Sequence, residues 1–95
     1  MSDISLVVLY SKKNCGYCIK AKNLLGKLGL DYIEKKFEDF KSVEELNKEI
    51  GRNVKSMPQI KINGELIGGY NQLIEFLTEK KLVNFKGEIL NSNNV

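Results

Sequence analysis

Histidine is absent from this 95-residue chain, and cysteine occurs only twice. A closed zinc site ordinarily takes four Cys or His ligands, so one would need a partner chain or an external thiol to complete it. Two cysteines do not make a disulfide framework either, and Cys15 and Cys18 are too close in sequence to staple a fold. Long hydrophobic runs are missing as well. Leu6 to Tyr10 is too short for a membrane span or a signal-peptide core, and no basic segment precedes it. The expectation is a soluble cytoplasmic protein with no membrane partner. With 15 Lys and Arg against 12 Asp and Glu, the net charge is only +3. No basic stripe interleaved with aromatics accompanies it, so no nucleic-acid partner is expected.

What is present fits one domain spanning residues 1–95, with 42% hydrophobic residues for a modest core. Leu6 to Tyr10 is a continuous apolar run of β-formers, the pattern of a central strand covered on both faces. Ala21, Leu25 and Leu28 recur at helical spacing, so a first helix is expected over 16–28 with Gly29 as its stop. Asp31 to Phe37 mixes β-formers with charges, which suits an edge strand. Ser42 with Glu45 three residues on predicts a capped helix over 43–50. Met57 to Ile67 is the clearest hairpin, with Asn63-Gly64 as its two-residue turn. Tyr70, Leu73, Ile74 and Leu77 predict a third helix to about Lys80. From about 85 the chain turns polar, and a flexible tail is expected. The order β-α-β-α-β-β-α implies a four-stranded mixed sheet sandwiched by helices, its first two strands parallel.

Cys15-Gly16-Tyr17-Cys18 lies between the first strand and the first helix, the context in which a Cys-x-x-Cys pair has redox meaning. Thiol–disulfide exchange needs a thiolate, and Cys15 stands where the unpaired N–H groups of a helix start favour its anion. Lys12 and Lys13 add positive charge. Such surroundings bring a cysteine from about 8.5 into the ~3.5–7.5 range. Cys15 is therefore the expected nucleophile and Cys18, nearly one turn on, the resolving thiol. The competing readings are half of a metal site and two small core residues.

Three segments in order resemble the glutaredoxin family across residues 5–80. Tyr10 to Cys18 is similar to its active-site segment, Ser56-Met57-Pro58 to its cis-proline segment, and Gly68-Gly69 to its diglycine. Ser56-Met57-Pro58-Gln59 together with Ile67-Gly68-Gly69-Tyr70-Asn71-Gln72-Leu73 looks most like the small glutaredoxins of tailed phages. The resemblance implies an α/β thioredoxin fold, a four-stranded mixed sheet of order 2-1-3-4 flanked by three helices. It also implies a glutathione-dependent thiol-disulfide oxidoreductase reducing protein disulfides or glutathione mixed disulfides, with ribonucleotide reductase among its partners. By the same resemblance Lys12 meets the glycine carboxylate of glutathione, Tyr17 flanks the tripeptide, and the Met57 backbone pairs with its cysteine in the manner of an added strand. Pro58 is implied to follow a cis bond. Gly68 and Gly69 admit the ligand backbone, and the helix start at Tyr70 and Asn71 holds the γ-glutamyl carboxylate. A monomer is implied, in the host cytoplasm if the gene is a phage's.

Departures from the pattern carry information. Asn71 stands where glutaredoxins commonly have an acidic residue; it can accept a hydrogen bond but lacks the charge, which bears on glutathione affinity and not on the exchange chemistry. Lys55 or Arg52 is expected to supply the second carboxylate contact. Gly16 replaces the usual proline, which frees the start of the helix and alters redox poise in an unspecified direction. Glutaredoxins lacking that proline include dimeric holders of a [2Fe–2S] cluster, in which Cys15 would be the protein ligand. That reading and a thioredoxin-like donor recharged by a reductase protein are the alternatives.

Overall fold

Strand β1 (Val7–Ser11) runs through the middle of the sheet in the computed structural model, which describes residues 4–90. Val7 and Leu9 are buried on one face and Tyr10 on the other, the alternation of a strand covered on both sides. It pairs in parallel with β2 (Ile33–Lys36), Val8 lying opposite Ile33, and antiparallel with β3 (Gln59–Ile62), Leu9 lying opposite Ile60. β4 (Glu65–Gly68) returns alongside β3, so the order is β2-β1-β3-β4, as the resemblance implies. The charged β2 is at an edge. It is shorter than the expected 31–37: it starts at Ile33, and it stops at Lys36 because Phe37–Asp39 close a 3-10 turn, Phe40 N donating to Phe37 O at 3.1 Å.

Helix α1 (Gly16–Lys27) buries Cys18, Ala21, Leu24 and Leu25, one face at helical spacing. Helix α2 (Val43–Ile50) has the bounds its capping residues predict: Ser42 Oγ accepts from Glu45 N at 3.1 Å, and Glu45 Oε1 accepts from Lys41 N at 2.8 Å. Helix α3 (Tyr70–Glu79) buries Leu73, Ile74 and Leu77. On one face of the sheet α1 and α3 cover Leu9, Ile60 and Ile62. On the other, the buried apolar cluster among the described residues is Tyr10, Leu46 and Ile50. At roughly 1.5–3 kcal/mol per buried large side chain, α2 is the lightly held layer. Tyr10 strengthens it, its hydroxyl donating to Glu49 Oε2 at 3.0 Å.

In the hairpin turn Asn63 has φ +54, and its Oδ1 accepts from Ser5 N and Leu6 N at 2.8 and 3.0 Å. The turn residue therefore also ties down the approach to β1. After α3 the chain folds back: Val83 is buried in the larger core and bridges Ile89, while Asn84 N donates to Glu88 O at 2.9 Å. Residues 85–90, where a flexible tail was expected to begin, lie in this turn; 91–95, the rest of that expectation, and 1–3 lie outside the described residues. Among the described residues no helix is long and apolar enough to cross a membrane.

Candidate active site

β1 hands the chain to a short loop in which Asn14 has φ +53, and α1 starts immediately after Cys15. Cys15 and Cys18 are joined in a disulfide. Cys15 is the N-cap residue, and its sulfur accepts a hydrogen bond from Cys18 N at 3.1 Å. A backbone N–H aimed at that sulfur favours its thiolate once the disulfide is reduced. Cys15 Sγ also lies 3.6 Å from Met57 O, a contact with no proton in the disulfide form. Cys18 is the deeper of the two, 1% exposed against 7% for Cys15. That difference suits the division between attacking and resolving thiol.

Two carboxylates hold the loop in place. Glu38, beside the 3-10 turn's first residue, accepts from Lys13 N at 2.8 Å, and that backbone hydrogen bond draws its carboxyl below the ordinary range. Glu34 on β2 accepts from Ser11 Oγ at 2.6 Å and pairs with Lys22 at 3.0 Å. The Ser11 bond, helped by Lys22, lowers its carboxyl too, against the opposing effect of burial. The four lysines near the cysteines therefore divide. Lys22 is engaged by Glu34, Lys20 Nζ stands 5.2 Å over the Tyr17 ring, Lys13 contributes its amide, and Lys12 lines a cleft.

Beside the cysteines, a cleft of about 250 Å3 brings together Tyr17, Met57, Pro58, Gly69, Tyr70 and Asn71. All six were singled out from the sequence. The Met57–Pro58 bond is cis. Tyr17, 57% exposed, stacks on Tyr70 with centroids 5.7 Å apart. Lys12 is not in this cleft. It lines a neighbouring one of about 240 Å3 together with Lys55, and Ser56 and Met57 belong to both. Arg52 lines a separate hollow with Glu44 and Lys48. Gly68 lines none of these three and acts through the backbone: its φ is +125, and a Cβ there would come within 2.9 Å of Gln72 Cγ.

Gln72 and Ser56, which the sequence motifs contain without a role of their own, both line the cleft. Gln72 Oε1 accepts from Gly69 N at 2.9 Å, closing the start of α3. Its signal was available, since a Gln three residues after a helix cap is a known stop for an orphan N–H. Gly87 was missed for lack of any local signal. It packs behind the cleft with φ +82, where a Cβ would meet Ile74 Cδ1 at 2.8 Å and Tyr70 Oη at 3.6 Å.

Residues 7–67 match the family model for glutaredoxin. The chain belongs to the glutaredoxin family. It is 30% identical over 78 residues to Glutaredoxin 1 of Escherichia coli (strain K12), covering 76% of this chain and 92% of that protein. The solved structure of reduced Escherichia coli glutaredoxin superposes with a TM-score of 0.70 at 26% identity, covering 81% of this chain and 98% of that one. A buckwheat glutaredoxin–glutathione complex gives a TM-score of 0.65 at 29% identity, covering 80% and 71%. The fold is thus the thioredoxin fold of the glutaredoxins, and the chain is a glutaredoxin-type thiol–disulfide oxidoreductase whose redox-active pair is Cys15 and Cys18. The family model ends one residue before Gly68.

Proposed function

We propose that this glutaredoxin draws electrons from glutathione and passes them to protein disulfides and glutathione mixed disulfides in the cytoplasm, as a monomer, with ribonucleotide reductase among its targets. The observation that carries the reading is the cleft lined by Met57, Pro58, Gly69 and Asn71 beside Cys15, whose sulfur lies 3.6 Å from Met57 O. Backbone groups of Met57 suit the cysteinyl part of glutathione, paired as an added strand. The start of α3 suits the γ-glutamyl carboxylate, because its first N–H groups lack helical partners. Asn71 offers its amide oxygen to the α-amino group without a charge, so that end is held by hydrogen bonding alone. Lys12, with Lys55 in the same cleft, suits the glycine carboxylate.

The chemistry follows from these positions. The Cys15 thiolate attacks the glutathione sulfur of a mixed disulfide; that S–S bond breaks, and the target leaves as a thiolate that takes a proton from solvent. A second glutathione thiolate then attacks the Cys15–glutathione disulfide, releasing glutathione disulfide and restoring Cys15. With a protein disulfide, Cys18 attacks the mixed disulfide that Cys15 has formed, and the protein is left with Cys15 and Cys18 joined.

A turnover assay on a glutathionylated thiol tests the reading, with recharging either by glutathione and its reductase or by a thioredoxin reductase. Turnover with glutathione is expected. Turnover with the thioredoxin reductase alone would make the protein a thioredoxin-like donor and sink the proposal.

A further inference from the structure

The Lys12 cleft differs in kind from the one beside Tyr70. Its walls include Phe37, Val43, Leu46 and Val54, and two of these, Phe37 and Val43, are 38% and 49% exposed. Lys12 and Lys55 add two positive charges, and neither makes an ion pair among the described residues. A glycine carboxylate would satisfy the lysines but has no side chain to set against the apolar wall. Apolar surface left open to water is a cost unless something covers it.

We infer that this cleft is a subsite for substrate polypeptides, receiving a large aliphatic side chain and a carboxylate from the residues that follow the target cysteine. Its place in the fold supplies the argument. Met57 lines this cleft as well as its neighbour and has its carbonyl 3.6 Å from Cys15 Sγ, so a cysteine paired with Met57 has its adjacent residues at this wall. The inference rests on the glutathione reading in one respect, the direction of the strand: with the γ-glutamyl end at α3, residues after the cysteine run toward Lys12. The partner is a polypeptide with an aliphatic residue and an Asp or Glu just after its reactive cysteine. The aliphatic side chain meets Phe37, Val43 and Val54, and the carboxylate meets the two lysines.

The reaction balances with the protein's own dithiol as reductant. The Cys15 thiolate attacks one sulfur of the substrate disulfide, and the other leaves as a thiolate. Cys18 then gives up its proton and attacks Cys15 Sγ, expelling the second substrate thiolate. Two electrons pass from the protein to the substrate, and the two thiolates take up two protons.

Symmetric disulfides of short capped peptides test this, with Cys followed by Leu-Asp, Gly-Asp, Leu-Asn or Gly-Asn, mixed with full-length protein reduced beforehand. The Leu-Asp peptide should react about tenfold faster than Gly-Asp, the discrimination typical of one aliphatic side chain in an apolar pocket. The Asp-over-Asn advantage should shrink as salt is raised. Val43→Gln, an exposed change at the first residue of α2, should lower the Leu-over-Gly ratio at least threefold, with the variant's own rate on the Gly-Asp peptide as the internal reference. Equal rates for all four peptides, or a Leu preference that survives Val43→Gln, would overturn the inference. So would a preference that appears only after residues 91–95 are removed, or only on dilution, since the cleft would then belong to the chain's own end or to a second copy. Because single-turnover reduction needs no glutathione, failure here is separable from failure of the glutathione assay.

Discussion

The β1–α1–β2 half of this glutaredoxin and its β3–β4–α3 half contribute to the site in opposite ways. The first contributes side chains: the sulfur of Cys15, Lys12 at the neighbouring cleft, and the carboxylates of Glu34 and, just beyond β2, Glu38 that hold the loop between them. The second works through backbone. Met57 offers its carbonyl, Gly69 its amide, and Gly68 only the absence of a side chain. Removing atoms should therefore disable the first half, whereas adding atoms should disable the second.

The largest effect belongs to the sulfur atoms. Cys15→Ser should abolish transfer to every substrate, while Cys18→Ser should keep activity on glutathione mixed disulfides and lose it on protein disulfides. Equal and total loss in both variants would erase the separate roles. Next comes the backbone half. Gly68→Ala should cost about 1–3 kcal/mol, because the residue is held at φ +125 with Gln72 Cγ in the way of a Cβ. Thermal unfolding should fall by about 4–8 °C per kcal/mol for a domain of this size. An unchanged melting temperature would show that the second half tolerates added atoms after all.

The smallest effects are in pH dependence, and they report the first half. Glu34 has its folded carboxyl lowered, first by the Ser11 hydrogen bond and then by Lys22, so its contribution is present above the unfolded value of about 4.3 and is lost as pH falls through the folded one. Glu34→Gln should flatten the acid limb of the stability curve. At the alkaline end the sign reverses for Tyr10, which burial and then Glu49 push up to about 12. Its contribution is present below about 10 and is lost as pH rises from there toward 12. Tyr10→Phe should remove that loss, and a matching alkaline limb in the variant would assign it to other groups.

The same division explains what could be read in advance. The bounds of α2 were legible because the Ser42 cap and its Glu45 partner lie within one turn. The hairpin was legible because Asn63-Gly64 is a local signal. Glu38 was not legible as the anchor of Lys13, 25 positions away, nor Glu34 as the partner of Ser11, 23 positions away. Choosing between Lys55 and Arg52 as the residue accompanying Lys12 also needed coordinates, since only Lys55 lines that cleft.

By itself the sequence determined which atoms react. A thiolate at a helix start is a local arrangement, made within the four residues Cys15 to Cys18 and the turn they begin. Only the tertiary structure decided what faces that sulfur. Met57 is 42 positions from Cys15, and what brings them together is the antiparallel pairing of β1 with β3, whose register is set by side chains buried on both faces of the sheet.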